Sequence, residues 1–75
     1  MNINFSRHAK RRAKLYGISE SIVVDIITGE DLTQGQHEII KEIDGLRYPL
    51  KIVVHVENNS AKVITNYPLK KGFKK

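Results

Sequence analysis

The fold is decided by residues 46–69, "LRYPLKIVVHVENNSAKVITNYPL". Ile52, Val54 and Val56 fall on one side of an extended chain, while Lys51, Val53, His55 and Glu57 fall on the other. Such alternation marks a half-buried strand. The pair Asn58-Asn59 tolerates the positive φ angles of a two-residue hairpin turn, and Ala61 and Val63 resume the alternation beyond it. The reading is a hairpin with Glu57 opposite Ser60.

Working backward, "EIIKEI" (38–43) runs into Asp44-Gly45, a second turn signal that sets Ile43 opposite Leu46. Three antiparallel strands follow. In this register one face carries Ile39, Ile43, Leu46, Tyr48, Leu50, Ile52, Val54, Val56, Ala61 and Val63, together with His37, Thr65 and Tyr67. The reverse face carries Lys51, His55, Lys62 and Asn66 with a smaller apolar group, Ile40, Pro49, Val53 and Ile64.

Upstream the period changes to that of a helix. Ser6 is a good N-cap, Gly17 a good terminator, and no Pro or Gly interrupts "RHAKRRAKLY" between them. Wound at about 100° per residue, one arc collects Phe5, Ala9, Ala13, Leu15 and Tyr16, and it also takes in His8 and Arg12. Arg7, Lys10, Arg11 and Lys14 lie opposite. Ser19 caps a second helix, "ESIVVDIIT", with a stripe of Ile22, Val23, Ile26 and Ile27 before Gly29. The segment "EDLTQGQ" (30–36) is a polar connection. The expectation is an α+β domain spanning residues 1–75, with two N-terminal helices packed on one face of a three- to four-stranded antiparallel sheet (ααβββ). Residues 70–75 read as a flexible basic tail.

A chain of 75 residues buries only roughly 60% of the surface its unfolded form exposes, so each inward polar residue is costly. It has no cysteine to add a disulfide or a thiolate metal site. The expectation is a cytoplasmic protein without a signal peptide or membrane span. Thirteen Lys and Arg against eight Asp and Glu give a net charge of +5, much of it in the first helix and in "LKKGFKK". Clustered positive charge attracts polyanions, nucleic acid foremost. Arg7, Lys10, Arg11, Lys14, Lys70 and Lys71 are the candidate nucleic-acid-binding residues, with Lys74 and Lys75 extending them.

The wheel turns His8 and Arg12 toward the sheet, and the hairpin register turns His37, Thr65 and Tyr67 toward the helices. Five polar groups are thereby expected to face one another where the two layers separate. His8 and Arg12 stand one above the other, being four apart. An imidazole can act as general base, and a guanidinium can fork onto two phosphate oxygens and stabilise charge that builds in a transition state. Thr65 or Tyr67 can donate to the same phosphate. His37 can in principle serve as acid. The three histidines have no His-x-x-x-His spacing and no Gly-rich phosphate loop accompanies them, so no metal and no cofactor is expected.

"HAKRRAKLYGISESIVVDIITGE" together with "KVITNYPLKKG" resembles a widespread group of small bacterial domains of unknown function, in which a His-Ala helix precedes a sheet closing on Val-Ile-Thr-x-Tyr. That group is similar in layout to the RelE-like and barnase, EndoU and colicin nuclease fold. The resemblance covers nearly the whole chain. It implies a metal-independent endoribonuclease of toxin type with an antitoxin partner, and His8, Arg12, Thr65 and Tyr67 as its catalytic residues. Tyr16 departs from the pattern, which often has Arg before the glycine. Two further classes stay open: a non-catalytic nucleic-acid-binding module on the same basic surface, and an interaction protein that forms a homodimer through Ile40, Val53 and Ile64.

Overall fold

A computed structural model describes residues 2–45 and 47–69. In chain order the elements are β1 (Asn2–Phe5), α1 (Arg7–Tyr16), α2 (Glu20–Thr28), β2 (Gly35–Lys41), β3 (Leu50–Glu57) and β4 (Ser60–Pro68). The architecture is α+β, with a four-stranded sheet ordered β1-β4-β3-β2. The basic tail expected at 70–75 and Leu46 lie outside the described residues.

Both helices have the bounds that their caps dictate. The Ser6 side chain accepts from the Ala9 N–H, and Gly17 ends α1 at φ 68°, a left-handed conformation that glycine adopts without a Cβ clash. Ser19 caps α2 by accepting from the Ser21 N–H. Each helix then contributes small or branched residues to the core: Ala9 and Ala13 from α1, Val23 and Ile27 from α2. These pack in one cluster with Leu50, Ile52, Val54 and Val56 of β3, Ala61 and Val63 of β4, and Ile39 of β2. Leu15, expected in the inward arc, is instead 69% exposed. At ten residues α1 is short, and the two alanines let it approach the sheet closely along a narrower stripe than the wheel allowed.

The β3–β4 hairpin has the expected turn, with Asn58 and Asn59 at φ 51° and 63° and Glu57 opposite Ser60. The other turn differs. The strands stop at Lys41 and Leu50, residues 42–49 form a longer connection, and Ile39 pairs with Ile52. The expected register set Ile39 against Leu50. A shift of two residues keeps every side chain on its face because the strand period is two.

The sheet is mixed and not antiparallel throughout. Asn2–Phe5, which the helical reading absorbed through Phe5, is a strand running parallel to β4 from Asn2↔Ser60 to Phe5↔Val63. Ile3 and Phe5 are half-buried while Asn2 and Asn4 are exposed, a period-two pattern in a segment too short to announce itself.

A second correction lies in β4. Val54 pairs with Val63 but Val53 pairs with Thr65, leaving Ile64 as an extra residue at a β-bulge. Beyond it the faces exchange. Asn66 opposes Ile52 and is fully buried, whereas Thr65 and Tyr67 oppose Val53 and Lys51 on the reverse face. The bulge is held from outside the strand: the Ser6 hydroxyl donates to the Ile64 carbonyl at 2.8 Å and the Ser6 N–H to the Val63 carbonyl at 2.9 Å.

Candidate functional site

β1 covers only the first half of β4, through Val63. From Ile64 onward α1 takes its place. Ser6 sits on the bulge, and one turn later the Asn66 side-chain amide donates to the Ala9 carbonyl at 3.3 Å. The result is a helix anchored beside an open strand edge, and Arg12, a further turn along, meets the last part of that strand.

There Arg12 stacks on Tyr67, its guanidinium carbon 5.9 Å from the ring centroid, within the range of a cation–π contact. One guanidinium nitrogen also donates to the Tyr16 hydroxyl at 3.4 Å. Tyr67 in turn stands directly opposite Lys51. The Lys51 ammonium lies 3.3 Å from a Glu38 carboxylate oxygen on β2. Its pKa is raised above the ordinary lysine value, first by the hydrogen bond to Glu38 and then by the nearby Tyr67 phenol. Glu38, Lys51, Tyr67, Arg12 and Tyr16 thus form a continuous polar chain across β2, β3, β4 and α1.

The five polar groups expected to gather between the layers are distributed otherwise. His8 is exposed on the first turn of α1 and makes no hydrogen bond or ion pair among the described residues. Arg12 is half-buried and joined to Tyr67, so those two do come together. Thr65 is on the same face as Tyr67, but its hydroxyl oxygen is closed to solvent and has no hydrogen-bond partner. His37 is two strands away on β2, where its Nε2 contacts the Thr33 carbonyl at 2.7 Å. That bond fastens the start of β2 to the preceding connection. The bulge is the reason the inward set fails to form, since it turns Thr65 and Tyr67 away from the layer boundary.

Sequence reasoning missed Lys51, placed on the reverse face with no role, and Asn66, placed there too. The signal for Asn66 was the break in apolar alternation after Ile64, where two polar residues follow before Tyr67.

The electrostatic setting of α1 is one-sided. The helix contains no acidic residue, and Arg7, Lys10, Arg11 and Lys14 are all exposed. Among the described residues none of its five cations, Arg12 included, is within ion-pair distance of a carboxylate. The salt bridges among the described residues join Lys41 to Glu30 and Lys51 to Glu38, and the His55 Nε2 lies 3.6 Å from a Glu57 carboxylate oxygen. No three His, Asp or Glu side chains gather among the described residues in a group that could hold a metal ion, and no described helix is long and apolar enough to cross a membrane. Ile40 and Ile64 are exposed at 48% and 36%, and Val53 between them is half-buried.

Compared with known proteins, the chain matches no family model, no curated protein and no solved structure.

Proposed function

We propose that the protein binds RNA along α1 and holds a phosphodiester at the Arg12–Tyr67 pair, where the middle of that helix meets β4. The observation that carries this reading is the set of five helix cations without a carboxylate partner among the described residues. Unneutralised charge on one rigid element concentrates a polyanion and releases its counterions on binding. Lys70 and Lys71, outside the described residues, add to the same charge. In this reading both helices cover the sheet face bearing Ile52 and Val54, and the protein works in the cytoplasm.

A second reading adds cleavage, and a specific arrangement favours it: an exposed imidazole, His8, one helical turn from a guanidinium already oriented by a tyrosine. His8 removes the proton of a ribose 2′-hydroxyl, and the freed oxygen attacks the adjacent phosphorus. The bond from phosphorus to the 5′-oxygen breaks, and that oxygen takes a proton from water. Arg12 stabilises the charge that develops on the phosphate oxygens. The products are a 2′,3′-cyclic phosphate and a 5′-hydroxyl end. This is the chemistry that a RelE-like toxin without a metal performs, and such a toxin requires an antitoxin partner in its own cell.

One experiment separates the two. The protein and its His8→Ala variant are incubated with mixed RNA in EDTA, followed by gel analysis and end-group assignment. Cleavage by the wild type alone, leaving cyclic phosphate ends, establishes the second reading. A salt-sensitive mobility shift shared by both proteins, without cleavage, establishes binding alone. Absence of both removes RNA as the partner.

A further inference from the structure

Building on that RNA-binding reading, we infer that Arg12, Tyr67 and Lys51 form one phosphate subsite at the open edge of β4, and that Glu38 is its built-in competitor, occupying the Lys51 ammonium until a phosphate displaces it.

The geometry supports each part. Tyr67 has two cations beside it: the Arg12 guanidinium over its ring, 5.9 Å from the centroid, and Lys51 directly across the strand pair. The phenol hydroxyl lies beside Lys51 and is free to donate to a further group. A phosphodiester offers two non-bridging oxygens, one for the planar guanidinium fork and one for the ammonium point charge. A single carboxylate engages one of these cations well, and Glu38 already does so at 3.3 Å. A phosphate that displaces it gains the Arg12 guanidinium as a second partner, a cation with which Glu38 forms no ion pair among the described residues. Arg12 is the half-buried cation of α1 and faces the strand, whereas Arg7, Lys10, Arg11 and Lys14 are exposed, so the subsite adds to their charge from another side of the helix.

Glu38 suits the role of competitor because its side chain is 57% exposed while that of Lys51 is 22% exposed. The carboxylate is the more exposed partner of the pair and the freer of the two to turn into water. The raised pKa of Lys51 keeps it charged throughout the physiological range. Removing the Glu38 charge should therefore tighten RNA binding, specifically through Lys51.

The test uses a fluorescent 2′-O-methyl oligoribonucleotide of about ten nucleotides, resistant to 2′-hydroxyl attack, titrated by anisotropy at low salt. Glu38→Gln is expected to tighten binding about two- to fivefold, the range of a broken surface ion pair. Lys51→Met and Tyr67→Phe are each expected to weaken it about three- to tenfold. In the Lys51→Met background, Glu38→Gln should change nothing. Glu57→Gln, which removes the same charge beside His55, reports the general electrostatic effect and should give a smaller gain. Circular dichroism verifies that every variant is folded.

Equal gains from Glu38→Gln and Glu57→Gln, or a Glu38→Gln gain that survives without Lys51, overturn the subsite. If Lys10→Gln and Arg11→Gln weaken binding while Glu38 and Lys51 variants do not, the RNA reading stands and the subsite falls. No binding by the wild type overturns both. Tighter binding to phosphatidylserine vesicles than to the oligonucleotide assigns the cations to a lipid surface and overturns the RNA subsite.

Discussion

The side-chain amide of Asn66 and the main-chain carbonyl of Ala9 meet at 3.3 Å, joining the last strand to the first helix in the interior. Asn66 is the one polar residue among the described residues with no solvent exposure, and its own carbonyl oxygen has no partner. Replacing it with Ala removes a buried donor and leaves a void, at an expected cost of about 1–3 kcal/mol. Asn66→Asp is expected to be worse, because it exchanges the donor for a buried charge. Chemical denaturation of the two variants gives both numbers. A neutral Asn66→Ala shows that α1 is held by other contacts.

Ser6 serves two elements with one hydroxyl, accepting from the Ala9 N–H at 3.0 Å and donating to the Ile64 carbonyl at 2.8 Å. Ser6→Ala is therefore expected to cost about 1–2 kcal/mol, the upper part of the range for a lost cap. Ser6→Asp restores the cap alone, since a carboxylate cannot donate to Ile64. Its stability should fall between wild type and Ser6→Ala, as measured by the urea midpoint.

Gly17→Ala separates backbone strain from packing. A Cβ there meets no atom within 4 Å, but φ is +68°. The expected loss is about 1 kcal/mol, set by the left-handed conformation alone. A loss well above that indicates that α1 and α2 shift relative to each other.

Lys51 gives a pH prediction whose sign follows from its partners. Its folded pKa lies above the unfolded one, chiefly through the Glu38 hydrogen bond. The stabilisation is present in full below the unfolded lysine value of 10.5 and is lost as pH rises through the higher folded value. Carbon-detected NMR of the Lys51 Cε should show it titrating above the ordinary lysine value of 10.5. Glu38→Gln should return it toward that ordinary value.

The helix cations predict a salt dependence. Each phosphate contact removed lowers the slope of log K against log salt by roughly 0.7 to 0.9. Lys10→Gln and Arg11→Gln should each do so by about that amount while reducing affinity for unrelated sequences alike. An unchanged slope means that α1 does not face the nucleic acid.

Local chemistry made much of the fold legible. The serine caps, the glycine after α1 and the paired asparagines each act within a few residues, and the elements they bound are the ones observed. Non-local pairing was not legible. β1 finds its partner 58 residues away, and no pattern in four residues announces that. The bulge at Ile64 depends on Ser6, equally distant in the chain. That single extra residue decided how the site divides: Arg12 and Tyr67 are together, Thr65 is closed off, and Lys51 enters through a register that alternation alone assigned to the back of the sheet.

The long reach of β1 and α1 also bears on how the chain acquires its structure as it is synthesised. The first strand pairs only with Ser60–Val63, and the first helix is anchored by Ile64 and Asn66. During translation residues 2–16 leave the ribosome well before Ser60–Pro68, the strand that pairs with β1 and anchors α1. The meander of β2 and β3 can pair early, but the cationic helix stays unseated until β4 emerges. The cationic face of α1 thus takes its seat late, and a nascent chain cannot hold it against β4 before synthesis has passed Tyr67.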